Sequence, residues 1–291
     1  MPVYDADGNA LINVYDADGN SLIYAYDADG NVVFQNDNKI RLTVMEYNAG
    51  QWYVGDGTGV PANYDDKYYS LQNGMIKKAK ADILLICEYL DNMSGLPRTA
   101  TSMLEQYYPY IQTQNGGSAG YYGRAICSKY PLNNWTQHAY RNDNNRYYDT
   151  ADITVDGNQI TLVITHLSPN DNRVAQLGEL IRYLSTLDSF ICAGDMNTLT
   201  FNGSATTEAD DYTNVIEPLL NAGFHLANCS DQRFLITYSA QPTGTYVGCL
   251  DNIITSSNIT IESVSVDTTK LTDKIYDKID HMPLIATIAI E

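Results

Sequence analysis

Positive charge is what this chain has least of. Its 291 residues carry 17 Lys and Arg against 35 Asp and Glu, a formal net charge of −18 at pH 7. A phosphate backbone is gripped by Lys and Arg, so tight non-specific binding of a polyanion is disfavoured unless a local basic patch or metal ions override the repulsion. Long apolar runs are missing as well. No stretch reaches the roughly 18 apolar residues of a membrane span. The opening residues, MPVYDADG, have neither the basic region nor the apolar core of a signal peptide. The expectation is a chain without a membrane segment, its compartment open: cytoplasmic, or exported if a signal was removed. Cysteine is sparse and unpatterned. Cys87, Cys127, Cys192, Cys229 and Cys249 form no C-x-x-C and no zinc-ligand spacing, and the first three lie in apolar runs where a thiol serves as a small hydrophobe. Nothing in that pattern argues for disulfides.

What is present is a globular composition, 44% apolar, on a chain long enough for one large domain with an appendage. The appendage announces itself as a repeat. VYDADGNALIN (Val3–Asn13), VYDADGNSLIY (Val14–Tyr24) and AYDADGNVVFQ (Ala25–Gln35) recur every 11 residues. Each carries a D-A-D-G-N turn between aliphatic and aromatic residues, where Gly and Asn accept positive φ. The spacing predicts β-hairpin-like units. Calcium binding through Asp5, Asp7 and their copies fits less well, because the helix–loop–helix calcium site places its Gly later and closes with Glu. The reading is therefore structural: attachment, oligomer contact or capping of a sheet edge. Residues 1–36 form this appendage, Asn36–Lys39 a linker, and residues 37–291 the main domain.

The main domain alternates strands and helices. Strands are expected at Ile40–Val44, Ile83–Cys87, Ala125–Cys127, Tyr148–Val155, Gln159–Thr165, Phe190–Ala193, Leu250–Ile254, Ile259–Val266 and Leu284–Ile290. Helices are expected at Tyr69–Lys80, Ser102–Tyr107, Asn170–Leu184 and Asn214–Leu220, and Gly50–Val60 reads as a loop. Strands with interposed helices, and hairpins besides, predict a mixed sheet sandwich with flanking helices.

Several strands end in polar groups. Phe190–Ala193 stops at Gly194 and is followed by Asp195 and Asn197; alone, G-D-x-N is an ordinary strand-to-turn junction. Asn48, Glu88 and His166 end other strands, Asp251 lies within one, and Asp280 and His281 precede the last. Strand ends are where layered α/β folds build sites. Carboxylates and a carboxamide without a Cys ligand suit Mg²⁺ or Mn²⁺ rather than zinc. A carboxylate inside an apolar strand, as at Asp251, must be paired, and a histidine is a natural partner.

The ordered set resembles the endonuclease/exonuclease/phosphatase superfamily, the deoxyribonuclease I-like metal-dependent phosphoesterases. The matching motifs are M-E-Y-N (Met45–Asn48), D-I-L-L-I-C-E (Asp82–Glu88), G-R-A-I-C-S-K-Y-P-L (Gly123–Leu132), T-H-L-S followed by Arg173 and Gln176, G-D-M-N (Gly194–Asn197), L-D-N-I (Leu250–Ile253) and D-H-M-P-L (Asp280–Leu284). The resemblance implies an α+β, four-layer α/β/β/α sandwich of two mixed sheets. It implies Glu88 as the main metal ligand with Asn48 and Asp280 beside it. Asp195 would position or deprotonate the attacking water, helped by Asn197. His281, held by Asp251, would stabilise phosphoryl charge or shuttle a proton, and His166 would donate to the phosphate. Departures from the family pattern are Cys87 for Gln, Ile279 for Ser and Asn252 for an aromatic residue. In the deoxyribonuclease I branch the histidine of the T-H-L strand has a glutamate partner on a neighbouring strand, yet Gly116–Ser128 holds no carboxylate. His166 is then held otherwise, or binds phosphate. Its presence points to the nuclease and sphingomyelinase branches.

The expected activity is a Mg²⁺-dependent (or Mn²⁺-dependent) phosphodiesterase of nuclease type acting on a phosphoester, with nucleic acid as a candidate partner. The Tyr-rich segments Tyr64–Tyr69, Tyr107–Tyr110 and Tyr121–Tyr122 suit base stacking. The alternatives are a lipid or small-molecule phosphodiesterase on the same residues, and a non-catalytic attachment protein working through the repeats.

Overall fold

The computed structural model describes residues 3–4, 10–15, 21–26, 32–35, 39–50, 66–91, 99–114, 123–141, 143–198, 200–201, 211–229, 234–239, 247–269 and 280–290. Backbone contacts divide the chain into two compact units, Met1–Ile40 with Ile290–Glu291, and Arg41–Ala289. In the first, strands Val3–Tyr4, Ala10–Tyr15, Ser21–Tyr26 and Val32–Gln35 form a four-stranded antiparallel meander in chain order. The strands recur with the period of the repeat and pair as one continuous sheet rather than as separate hairpins. The aspartate-bearing turns and Asn36–Asn38 lie outside the described residues, as does the calcium reading.

The second unit is built on strands β1 (Ile40–Asn48), β2 (Ile83–Cys87), β3 (Tyr110–Gln114), β4 (Arg124–Ser128), β5 (Asn133–Tyr140), β6 (Asp143–Val155), β7 (Asn158–His166), β8 (Phe190–Asp195), β9 (His225–Leu226), β10 (Asp251–Thr255), β11 (Ile259–Val266) and β12 (Leu284–Ile290). One six-stranded sheet has the order β11-β12-β1-β2-β4-β3, the other β9-β10-β8-β7-β6-β5. Both are mixed: β1 runs parallel to β2 and β7 to β8, while β2–β4, β6–β7 and β8–β10 are antiparallel.

Helices cover the outer faces. Helix α1 (Asp66–Ala79) and α2 (Ala100–Leu104) bury Leu71, Met75, Ile76, Met103 and Leu104 against Met45, Tyr47, Leu84, Ile86 and Cys127. Helix α3 (Asn172–Leu184) and α4 (Glu217–Asn221) bury Leu177, Leu180, Leu184 and Leu219 against Val163, Phe190, Cys192 and Ile254. The architecture is the four-layer sandwich. The side-chain period of two in a strand leaves Leu42, Val44, Ile83, Leu85, Leu162, Ile164, Ile191 and Ile253, all buried, for the face between the sheets. A buried Arg124–Asp149 pair at 2.9 Å joins the two sheets across this layer.

Some boundaries differ from the expectation, for local reasons. Helix α2 starts earlier because Thr99 forms a reciprocal capping box with Ser102. The segment expected as one helix at Asn214–Leu220 is a π-turn, Tyr212–Ile216, leading into α4; Pro218 has no N–H to continue an ordinary ladder across the junction. The expected strands Tyr148–Val155 and Gln159–Thr165 form a hairpin that closes on two residues, Asp156 and Gly157, both at positive φ, with Val155 paired to Asn158. Strand β5 was not foreseen: it is an edge strand exposed along most of its length, so its sequence has no alternation to read. Gly50 is described while 51–60 lie outside the described residues, as do Tyr64, Asp65, Tyr121, Tyr122 and Ile279.

Candidate active site

The polar strand ends expected from the sequence meet at one mouth of the sandwich. Parallel strands β1, β2, β7 and β8 all finish there, and antiparallel β10 begins there, so Asn48, Glu88, His166, Asp195 and Asp251 converge. The alternation that buries Val44 and Ile191 points Asn48 and Asp195 between the sheets, and it links the two sheets at their ends.

Asp195 is the meeting point. Its Oδ2 accepts a hydrogen bond from Asn48 Nδ2 at 3.0 Å. His166 Nε2 lies 3.4 Å and His281 Nε2 3.7 Å from the same oxygen. The other oxygen, Oδ1, accepts from the Asn197 backbone N–H at 2.7 Å. Asn48 Nδ2 also reaches Glu88 Oε1 at 3.2 Å and lies 3.4 Å from His281 Nε2, while Asn48 Oδ1 accepts from the Gly50 N–H at 3.0 Å. Asn48 therefore acts in this structure as the donor that holds the two acids. His281 Nδ1 is 2.8 Å from Asp251 Oδ2. Beside His166 stand Asp195, 3.4 Å from Nε2, and Glu88, 4.0 Å from Nδ1.

The backbone is shaped for this. Gly194 has φ +148°, and a Cβ there would stand 1.8 Å from the Thr165 carbonyl oxygen of the adjacent strand. Only glycine permits that approach, which sets the register His166 opposite Asp195. Glu88 and Asn197 sit at φ +51° and +49°, a region that costs non-glycine residues energy and is tolerated where the surroundings fix it.

Burial and mutual charge tune the acids. Burial, then the charge of Asp280, raises Glu88 to about 7, against the opposing pull of His281 and Asn48. Burial also raises Asp195 to about 7, with Asp251 adding to it and His281 opposing. Burial alone would lower His281, but the charges of Asp251, Asp195 and Asp280 and the Asp251 hydrogen bond outweigh it and raise the imidazole to about 10. That rise favours the imidazolium at neutral pH, a form in which both ring nitrogens carry a proton.

Two contributors were not foreseen. Glu46 is fully buried on the inward face of β1, with neither carboxylate oxygen hydrogen-bonded, and burial with the nearby Asp251 and Asp195 charges raises its carboxyl well above the usual range. The signal was in the sequence: Leu42, Val44, Glu46 and Asn48 share one face by the period of two. Tyr238 packs edge-on to the His281 ring with centroids 5.1 Å apart and bridges it by backbone. Its surroundings carried no such pattern.

The donor set suits a divalent cation. Among the described residues, Asp195, Asp251 and His281 have ligand atoms within 4.8 Å of one another. Within that trio His281 Nδ1 is engaged by Asp251 Oδ2 at 2.8 Å, while the buried Asp251 Oδ1 has no hydrogen-bond partner among the described residues. Glu88 also offers hard carboxylate oxygens near this group; its side chain is 19% exposed, and burial, then the charge of Asp280, raises it. Asp280 is partly exposed.

Comparison with known proteins agrees with the fold. Residues 73–273 match the Endonuclease/Exonuclease/phosphatase family, a span that includes Glu88, His166, Asp195, Asn197 and Asp251. Residues 4–33 match the RHS repeat. No curated protein matches the sequence. Among solved structures, an endonuclease/exonuclease/phosphatase from Beutenbergia cavernae superposes with TM-score 0.62 at 16% identity, covering 86% of this chain and 72% of that one. ANGEL2, described as a 2′,3′-cyclic phosphatase in complex with adenosine-2′,3′-vanadate, gives 0.62 at 16% identity over 88% of this chain and 97% of that one. TDP2 of D. rerio, complexed with a single-strand DNA product, gives 0.61 at 14% identity over 85% and 98%.

Proposed function

The chain belongs to the endonuclease/exonuclease/phosphatase family, whose members hydrolyse phosphoester bonds, and on that premise we propose a divalent-metal-dependent phosphodiesterase of nuclease type. The observation that carries this reading is the convergence of one amide and two imidazoles on Asp195 Oδ2. Glu88 and Asp280, beside Asn48, would hold the cation, which supplies Lewis-acid polarisation of a phosphoryl oxygen when bound.

The chain's own residues account for the rest. Asp195 takes the proton of the attacking water at Oδ2, while the Asn197 N–H fixes Oδ1 so that Oδ2 faces the mouth. His281 presents a charged Nε2–H toward the oxygens where negative charge develops. Asp251 fixes that ring by its 2.8 Å contact at Nδ1. His166 presents Nε2 on the other side of Asp195, placed to donate to a non-bridging phosphate oxygen.

The nucleic-acid assignment is supported by the TDP2 and ANGEL2 complexes and is opposed by the charge of −18. The deciding experiment is hydrolysis of supercoiled plasmid and of bis(p-nitrophenyl) phosphate with Mg²⁺, Mn²⁺ or EDTA, in wild type and His281→Ala. Metal-dependent cleavage of both substrates, lost in the variant, is the expected result. Cleavage of the small ester alone moves the assignment to a lipid or small-molecule phosphodiesterase.

A further inference from the structure

The loops carrying His166 and Asp195 are not self-supporting. Asn197 holds a positive φ that asparagine adopts at a cost, and its N–H is what aims Asp195. Its side-chain Nδ2 donates to the Leu167 carbonyl at 2.7 Å, so the loop after β8 is tied to the loop after β7. One more group completes the tie. The Arg173 guanidinium, on the first turn of α3, donates from Nη1 to the Asn197 carbonyl and from Nη2 to Asp211 Oδ1. One turn on, Gln176 accepts from the Ser168 N–H at 2.8 Å through Oε1 and donates to Ser168 Oγ at 2.9 Å through Nε2. The first two turns of α3 thus grip Ser168 with one side chain and Asn197 with the other. Asp211, a buried acid, fixes the far arm of the guanidinium, and its own carbonyl lies 3.4 Å from Thr198 Oγ1.

We propose that Arg173 is a positioning residue for hydrolysis: its planar fork, anchored on Asp211, holds Asn197 in its left-handed conformation and so sets the carboxylate of Asp195 relative to His166. A planar two-armed donor suits this task, because it fixes direction as well as charge; lysine, a single flexible ammonium, can serve one partner at a time. Arg173 touches no group assigned to the reacting phosphate, so its loss should change the chemistry step and leave substrate capture alone.

The activity test rests on the proposed phosphodiesterase reading. With bis(p-nitrophenyl) phosphate and Mg²⁺, Arg173→Ala should lose about 100-fold in kcat with KM held within about threefold, the scale expected when a reacting group is misplaced by an ångström. Added guanidinium salt should restore part of that kcat relative to the same concentration of sodium chloride, which a general loss of stability would not allow. Arg173→Lys should fall between alanine and wild type. A kcat within threefold of wild type in Arg173→Ala, or a change confined to KM, overturns the proposal. Where Arg173→Ala does not fold, Arg173→Lys decides: wild-type kcat in that variant overturns it. Hydrogen–deuterium exchange separates this proposal from the function itself. The amides of Leu167, Ser168 and Asn197 should exchange faster in the Arg173 variants whether or not the wild type hydrolyses the ester, and unchanged exchange there overturns the clamp.

Discussion

Two histidines stand on either side of Asp195, and they are held differently. The His281 corner is rigid. Its Nδ1 is 2.8 Å from Asp251, its ring packs against Tyr238, and its flanks are pinned by the Ser239 N–H on the Asp280 carbonyl at 2.8 Å and the Met282 N–H on the Thr237 carbonyl at 2.7 Å. Thr237 also accepts from the Asp251 N–H at 3.1 Å, so one short segment frames both members of the pair. At the His166 corner the acids stand farther off, at 3.4 Å and 4.0 Å, and Arg146 Nη1 donates to the His166 carbonyl at 3.2 Å. An imidazole with a carboxylate on one nitrogen has a fixed orientation and a stabilised charge.

That contrast can be broken. The largest effect is expected at the rigid corner: His281→Ala should lower kcat by about 10³- to 10⁴-fold on the phosphodiester. Asp251→Asn, which keeps the shape but removes the charge that holds the ring, should cost about 10²- to 10³-fold and make the pH profile of kcat shift toward acid, because the imidazolium loses its stabilising neighbour. His166→Ala should cost less, about 10- to 100-fold, and should raise KM as well, the mark of a group that contacts phosphate in the ground state. Equal losses at His166 and His281, with KM untouched in both, would make the two corners functionally equivalent.

The smallest effect is on stability, and its sign follows from the acids. Glu88 and Asp195 sit at about 7 in the folded chain against ordinary values of 4.5 and 3.8, so between those limits the native state binds protons that the unfolded chain has lost. Stability in EDTA should therefore fall as pH rises from about 4 toward 7. His281, at about 10 against 6.5, contributes stability that is full below 6.5 and fades as pH rises through 10. Mg²⁺ should raise the melting temperature at pH 8 more than at pH 5, since it opposes charges that appear only at the higher pH, and Glu88→Gln should remove most of that gain. A Mg²⁺ effect equal at both pH values would count against Glu88 as the ligand.

Much of this was written in the sequence, because it is local. The apolar strand runs, the polar residue at the end of each, and the turn after Val155 are decided by side-chain period and backbone preference within a few residues. The same logic placed Asn48, Asp195 and Asp251 as candidates and gave the repeat its strand-and-turn period. Gly194 was legible as a stop; that it is required by a carbonyl 1.8 Å from its absent Cβ is a fact of the neighbouring strand. The tertiary structure alone decided who meets whom. Asn48 and Asp195 are 147 residues apart, and Asn48 and His281 are 233 apart, yet all three share one mouth. The two sheets pack face to face through their apolar residues, and that packing, not any local preference, fixes which strand ends coincide. It also decided what sequence reading passed over: Glu46 buried behind the site, Tyr238 against His281, and Asp195 and Glu88 as the acids beside His166. Electrostatics in a buried cluster belongs to the cluster, so the raised acids and the charged imidazole exist only once folding has removed water and set them side by side.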